Sequence, residues 1–182
     1  MQCRPRVRRS FFGWCPMSGF NPLNFNVGFI AAETVGYVRE IPVEVASLTL
    51  QDLPLRALEG SVVFDRVSKG VTAHVHLQAR TPAECIRCLQ PFEQTLEIDF
   101  TELYALSGKM PDAEFVFPES GQLNLAPLVR EYMLLAFPMH AVCSPDCKGL
   151  CPVCGANLNE HVCNHEEESG DPRLAVLKAL LE

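Results

Sequence analysis

The stretch Cys143-Ser-Pro-Asp-Cys147-Lys-Gly-Leu-Cys151-Pro-Val-Cys154-Gly155 constrains this chain more than any other, because it places four thiols within twelve residues. Cys-Pro-x-Cys-Gly reads as a tight turn whose backbone N–H groups face thiolate sulfurs and whose glycine takes a positive φ. One such turn is half of a tetrahedral metal site. A second C-x2-C pair lies upstream in Cys85-Ile-Arg-Cys88, and Cys163 and His165 follow the cluster. The candidate ligands are therefore Cys85, Cys88, Cys143, Cys147, Cys151, Cys154, Cys163 and His165, enough for two closed four-coordinate zinc sites. The favoured partition joins Cys85 and Cys88 to Cys143 and Cys147, and Cys151 and Cys154 to Cys163 and His165. The alternative gathers Cys143, Cys147, Cys151 and Cys154 on one metal, folding Lys148-Gly149-Leu150 tightly between two ligand pairs. One or two structural Zn2+ ions are thus expected. Cys3 and Cys15 stay outside either scheme.

Nine cysteines in a small secreted domain would suggest a disulfide framework. Here no secretory signal is evident and the spacings are those of metal knuckles, which points to reduced thiols in a reducing, cytoplasmic setting. Three other uses of the thiols fit less well. An iron–sulfur cluster has different spacing in bacterial ferredoxins. A redox dithiol belongs at a helix start after a strand, whereas the pattern here is strand, loop, strand. Catalytic zinc needs an open position and a nearby base, and the acids near the knuckles, Glu84, Asp146 and Glu160, have no metalloenzyme spacing. Nor does the chain carry a phosphate-binding glycine loop, a nucleophile elbow or a kinase signature. The residues describe a non-enzymatic, zinc-stabilised binding protein, with a thiol redox or zinc-delivery protein as the alternative.

The formal charge is −7; four arginines among the first nine residues, where no acid occurs, account for +4, so the remainder carries −11. That balance opposes non-specific nucleic-acid binding, which depends on Lys and Arg neutralising phosphates. The best apolar run, Leu125 to Phe137, is too short to span a membrane and carries Arg130 and Glu131. Residues 1–22 read as a flexible basic arm: its apolar part is too short for a signal peptide and Pro16 interrupts it. A transit segment, which would place the protein in the plastid stroma, a basic tail, or a later start at Met17 all fit this arm.

Beyond the arm, hydrophobic periodicity predicts an α+β core over 23–142. Leu23, Phe25, Val27 and Phe29 alternate as a strand, and Val43, Val45 and Leu48 to Leu50 suggest another, with Pro42 favouring an edge. Leu58, Gly60, Val62 and Phe64 lead to a turn at Ser68-Lys69-Gly70. Val71, Ala73, Val75, Leu77 and Ala79 then alternate with polar residues in a half-buried strand. His74 and His76 share its polar face and read as solvated or partner-facing, since no Cys or acid on that strand matches their spacing. Phe92, Gln94, Leu96, Ile98 and Phe100 form the next strand, so Cys85 to Cys88 sits in the connection. Residues 107–121 read as a long acidic surface loop. Asn124 reads as the N-cap of a helix carrying Leu125, Leu128, Val129, Tyr132 and Leu135 and stopped by Pro138. That helix is expected to deliver His140 and Cys143 toward the first knuckle. The remainder, 143–182, reads as a Cys-rich zinc-binding segment closing with a short helix that opens at Asp171-Pro172 and carries Leu174, Leu177 and Leu181. The expected architecture is an antiparallel β-sheet with a packed helix and a C-terminal zinc-knuckle segment ending in that short helix.

With these pieces in hand, the chain resembles the YceD-like family of large ribosomal RNA subunit accumulation proteins. The resemblance rests on Cys85-Ile-Arg-Cys88-Leu89-Gln90-Pro91-Phe92, on Leu134-Leu135-Ala136-Phe137-Pro138-Met139-His140, on Cys143 to Leu158 with its Cys-Lys-Gly-Leu-Cys-Pro-Val-Cys-Gly-Ala-Asn-Leu-Asn run, and on Asp171-Pro172-Arg173-Leu174-Ala175-Val176-Leu177. It runs from about residue 23 to the end. It implies a role in the synthesis, processing or accumulation of 23S rRNA and does not imply an enzyme. His165 departs from it, since similar sequences often carry cysteine there. An acidic protein could serve rRNA by binding a basic ribosomal protein or processing factor, through a surface that includes Glu166 to Glu168. It could also contact the 23S rRNA precursor directly, through a patch such as Arg80, Arg87 and Lys148. The charge balance favours the protein partner.

Overall fold

A computed structural model describes residues 21–106, 110 and 112–165. Its longest elements are β-strands. A short strand β1 (Asn24–Asn26) and helix α1 (Gly28–Ala32) precede four long strands, β2 (Val38–Leu50), β3 (Leu53–Arg66), β4 (Gly70–Glu84) and β5 (Pro91–Ala105). Two short strands, β6 (Phe115–Val116) and β7 (Gln122–Asn124), lead into helix α2 (Ala126–Ala136). The main sheet runs β2-β3-β4-β5-β6, antiparallel except for the parallel β5–β6 pair, and β1 pairs with β7 in a separate two-stranded ribbon. This mostly antiparallel sheet with few helices fits the expected α+β class.

One face of the sheet is buried and the other polar, and the period of two in β4 sets which is which. Val71, Ala73, Val75, Leu77 and Ala79 are buried under α1, α2 and the β1–β7 ribbon, together with Leu96, Ile98 and Phe100 of β5. Phe25 of β1 meets Phe64 of β3 edge to face at 5.5 Å. On the open face His74 Nδ1 lies 2.8 Å from Thr101 Oγ1, and His76 lies between Glu97 and Asp99 at 3.8 and 3.5 Å. Those partners sit on the neighbouring strand, out of view of a search along β4 alone.

Strand β3 has to change parity to keep its apolar residues on the core side. Leu53 and Leu55 are odd-numbered while Leu58, Val62 and Phe64 are even, and all five are buried. The register with β4 shifts between Arg56 and Glu59, and Ala57 takes a φ of +46 there. This bulge inserts the residue that restores the alternation. Beyond it, Gly60 has a φ of +146 and lies so close to β4 that a Cβ would come within 2.1 Å of the His76 carbonyl oxygen.

Several local expectations need correction. Leu23 to Phe29 is not one strand: Val27 N–H bonds to the Gly121 carbonyl at 2.9 Å, Gly28 packs on Gly121, and the chain turns into α1. Ile30 is buried as a result, and Phe29 is left half exposed. Residues 107–121 are not simply a surface loop, because β6 pairs with Tyr104 and Ala105 and Phe117 is buried. The N-cap of α2 is Leu125, one residue after the expected Asn124. Asn124 Oδ1 nonetheless accepts the Ala126 N–H at 3.1 Å, so it satisfies one of the unpaired donors at the helix start. The first 20 residues of the basic arm, with Cys3 and Cys15, lie outside the described residues, as do Glu166 to Glu168 and the expected C-terminal helix.

Two links with the strands fix the direction of α2. The Tyr132 ring stacks on Phe100 with centroids 4.0 Å apart, and its hydroxyl donates to Glu102 Oε1 at 2.9 Å. Arg130 pairs with Asp52, in the β2–β3 turn, at 2.7 Å. The helix ends where Phe137 becomes extended ahead of Pro138, a conformation the proline ring imposes. Among the described residues, no helix is long and apolar enough to cross a membrane. Gly60→Ala should lower unfolding free energy by about 2 kcal/mol or more, since the new methyl forces β3 and β4 apart at a strained φ. A denaturant titration compared with the unaltered chain measures this loss.

Candidate metal centres

Two turns of one design carry the paired cysteines. In the first, Leu89 N–H bonds to the Cys85 carbonyl at 2.9 Å and Cys85 N–H to the Gln90 carbonyl at 3.0 Å. In the second, Gly155 N–H bonds to the Cys151 carbonyl at 2.9 Å and Cys151 N–H to the Ala156 carbonyl at 2.8 Å. The fifth residue of each turn needs a positive φ, +72 at Gly155 and +58 at Leu89. The first turn joins β4 to β5, so two long paired strands hold it.

The structure sorts the eight candidate ligands into two groups, Cys85, Cys88, Cys143 and Cys147 in one and Cys151, Cys154, Cys163 and His165 in the other. Within each group the ligand atoms all lie within 4.8 Å of one another. In the first group, Cys85 Sγ lies 3.8 Å from Cys147 Sγ, and Cys88 Sγ lies 3.7 Å from Cys143 Sγ. In the second, Cys154 and Cys163 sulfurs are 3.6 Å apart. A tetrahedron with metal–sulfur bonds of about 2.3 Å has edges of about 3.8 Å. The sulfurs therefore stand at the spacing of a shared metal ion and well beyond a disulfide bond. Cys143 and Cys147 are drawn to the β4–β5 loop, not to Cys151 and Cys154.

The first group is assembled from both sides. Helix α2 and the Pro138 exit bring Ala141 against the knuckle, where Ile86 N–H donates to its carbonyl at 3.0 Å. Phe92 and Val142 pack against Cys85, Cys88 and Cys147, all three of which are buried. Arg87 reaches across, donating to the carbonyls of Pro145 at 3.2 Å and Cys147 at 3.0 Å, while its own carbonyl accepts the Leu150 N–H at 3.1 Å. Gly149 lies directly on Arg87, with a φ of +78 and room for no Cβ closer than 3.0 Å to the Arg87 carbonyl oxygen. His140, expected near this knuckle, is exposed and belongs to neither group.

The thiols of the first group divide electrostatically. Burial disfavours the Cys85 thiolate, but backbone N–H groups of Cys143, Cys88 and Arg87 outweigh it and bring the thiol down to about 6. Cys147 is lowered chiefly by the side-chain amide of Asn159, which donates to its sulfur at 3.3 Å. Cys143 is pushed up to about 12 by burial and by the neighbouring sulfurs of Cys147, Cys88 and Cys85. In the second group Cys151 is lowered by the N–H groups of Cys154 and Val153, whereas hydrogen bonding with Cys154 and burial push Cys163 up to about 11. Four thiolates so close together repel one another, and a divalent cation in their midst reverses that balance. These donor sets suit a soft or borderline metal, and the first offers sulfur alone.

Asn159 has no role in the sequence expectations above, and Arg87 enters them only as part of the less favoured direct-RNA patch. Asn159 carries no signal beyond its nearness to the knuckle. Arg87, though exposed, donates to main-chain carbonyls at the edge of the site. Of its proposed companions, Arg80 lies on the open sheet face and Lys148 is exposed beside Cys147.

Against known proteins, the family model for large ribosomal RNA subunit accumulation protein YceD matches residues 73–181, which includes every candidate ligand. The chain belongs to this family. An uncharacterized protein of Mycobacterium tuberculosis is 34% identical over 137 residues, covering 72% of this chain and 62% of its own length. The chloroplastic YCED homolog 1 of Arabidopsis thaliana is 34% identical over 65 residues, 36% of this chain and 20% of its own. That of Zea mays is 41% identical over 49 residues, 26% of this chain and 17% of its own. The chain thus spans about 62% of the length of the mycobacterial relatives it matches. No solved structure matches it.

Gly149→Ala should destabilise the protein by about 1 to 3 kcal/mol, because a methyl there is strained at positive φ and presses on the Arg87 carbonyl. Thermal unfolding monitored alongside thiol accessibility should register both effects, with Cys147 becoming reactive toward an alkylating reagent.

Proposed function

We propose that this chain is a non-catalytic, zinc-stabilised factor that supports accumulation of 23S rRNA in large ribosomal subunit biogenesis, and that it acts by binding a basic ribosomal protein or processing factor. Membership of the YceD family is the observation that carries the role, and the two ligand groups carry the metal. Zinc is favoured because sulfurs within 4.8 Å of one another surround a single ion, whereas a multi-iron cluster holds its thiolates farther apart. Four protein ligands in each group close the coordination shell, the arrangement of structural and not catalytic zinc. Partner choice follows from charge: a body at −11 outside its basic arm is drawn to cations and repelled by RNA phosphate. Engagement of Arg87 by carbonyls weakens the direct-RNA reading further. A thiol redox role for the Cys85–Cys88 pair is disfavoured by the burial of both, since exchange requires access to the sulfur.

Metal analysis of the purified full chain should find two zinc ions per molecule, and iron, or no metal at all, overturns the reading. Cys85→Ser should release one of them and reduce stability by about 4 kcal/mol, the linkage expected for a ligand a thousandfold above its Kd. In cells, crosslinking followed by protein and RNA identification should recover a basic protein in preference to 23S precursor. Efficient direct crosslinks to the RNA would replace the partner reading with direct contact.

A further inference from the structure

The two ligand groups are not independent modules. Asn159 lies in the eight-residue loop between Cys154 and Cys163, two ligands of the second group whose sulfurs meet at the loop's base. Its side chain is spent on the first group: Nδ2 donates to Cys147 Sγ at 3.3 Å, and Oδ1 accepts the Lys148 N–H at 2.9 Å. Asn157 Oδ1 holds it in place, accepting from both the Asn159 backbone N–H at 3.0 Å and Nδ2 at 2.8 Å. The same loop clasps the first group's segment through Leu158 N–H to the Gly149 carbonyl at 2.9 Å and through the Leu150–Asn157 bridge. We infer that Asn159 is a positioning residue that couples the two groups, so that closing the loop on a metal at Cys151, Cys154, Cys163 and His165 strengthens metal binding at Cys85, Cys88, Cys143 and Cys147.

An amide N–H directed at a ligand sulfur fixes that ligand's orientation, and outer-shell donors of this kind tune metal affinity as well. That donor is in place only while the loop is folded, and joining the loop's two ends through shared ligands removes the entropy that would unfold it. Linkage then works in both directions: a filled first group holds Asn159 and favours closure of the loop, so the two metals bind cooperatively. The inference rests on the proposed metal reading, and the test separates the two.

The experiment is competition of the fully loaded chain against a chromophoric zinc chelator, with cadmium NMR of the substituted protein, in which all-sulfur and sulfur–nitrogen coordination give separate resonances. Asn159→Ala keeps every ligand. It should weaken the first group roughly tenfold or more, the usual consequence of losing an outer-shell partner, and should shift the all-sulfur cadmium resonance. Cys163→Ser, which opens the second group, should weaken the first by a similar factor in the unaltered chain. In the Asn159→Ala background it should cost the first group distinctly less, leaving only what the Leu158–Gly149 and Leu150–Asn157 contacts transmit. Two bound metals whose first-group affinity changes less than twofold in Asn159→Ala overturn the coupling and leave the metal reading intact. A Cys163→Ser effect that is the same in both backgrounds also overturns the coupling. Absence of any bound metal overturns the metal reading itself. Should Cys163→Ser not fold, the Asn159→Ala affinity and resonance decide alone.

Discussion

Four sulfurs crossing between two distant pieces of chain are the constraint on which the rest of this structure depends. Cys85 meets Cys147 and Cys88 meets Cys143, so each member of the β4–β5 loop is joined to a residue 55 to 62 positions later. Bringing such remote segments together carries a loop-closure cost, and without a compensating interaction the exit of α2 would have little reason to stop at the knuckle. A metal shared by the four sulfurs, as proposed, would offset that cost at the tip of the sheet. Everything else in the fold sets the two halves within reach. Long paired strands hold Cys85 and Cys88, and α2, anchored through Tyr132 on Phe100 and Arg130 on Asp52, aims the chain that carries Cys143 and Cys147.

The sheet itself obeys a stricter rule than hydrophobic content, because a strand that slips by one residue exposes its entire core face. β3 meets that rule by means of the bulge between Arg56 and Glu59, and Gly60 lets the two strands close again immediately afterwards. β4 keeps its alternation unbroken, so the odd-numbered parity that buries Val71 to Thr81 also sends Cys85 inward. Phe92 of β5 then packs under the sulfurs, so the first ligand group continues the apolar side of the sheet.

Legibility in the sequence followed the length of the signal. β4 could be read residue by residue because its alternation persists over many positions and one of its faces stays polar. β6 and β7, of two and three residues, are too short to have a period, and they exist because Tyr104, Ala105 and Phe25 offer them partners that are remote in sequence. Phe29 fit a strand pattern, yet the contact between Gly28 and Gly121 turned the chain, which a local window cannot see. Cysteine spacing identified both turns, and the geometric tightness of Lys148-Gly149-Leu150 argued against placing Cys143 to Cys154 on one metal. What spacing could not disclose was the supporting shell. Leu89 takes the conformation that Gly155 takes in the second turn, and Arg87 and Asn159 are ordinary polar residues until carbonyls and a sulfur are found beside them.

Whether such a centre performs chemistry turns on what its neighbours are free to do. A catalytic zinc site leaves one position open and sets a base beside it. Here each group already musters four protein ligands, and the carboxylates close by in sequence have no such place. Glu84 ends β4 in register with Pro91, and Asp146 is exposed on the turn between two ligands. Glu160 accepts from Asn157 Nδ2 at 3.0 Å, which makes it part of the scaffold that steadies Asn159. Asn157, Asn159 and Glu160 thus form a hydrogen-bonded frame beside the sulfurs, the arrangement expected of the proposed shape-fixing centre, and the negative charge of the body around it accords with the proposed basic partner.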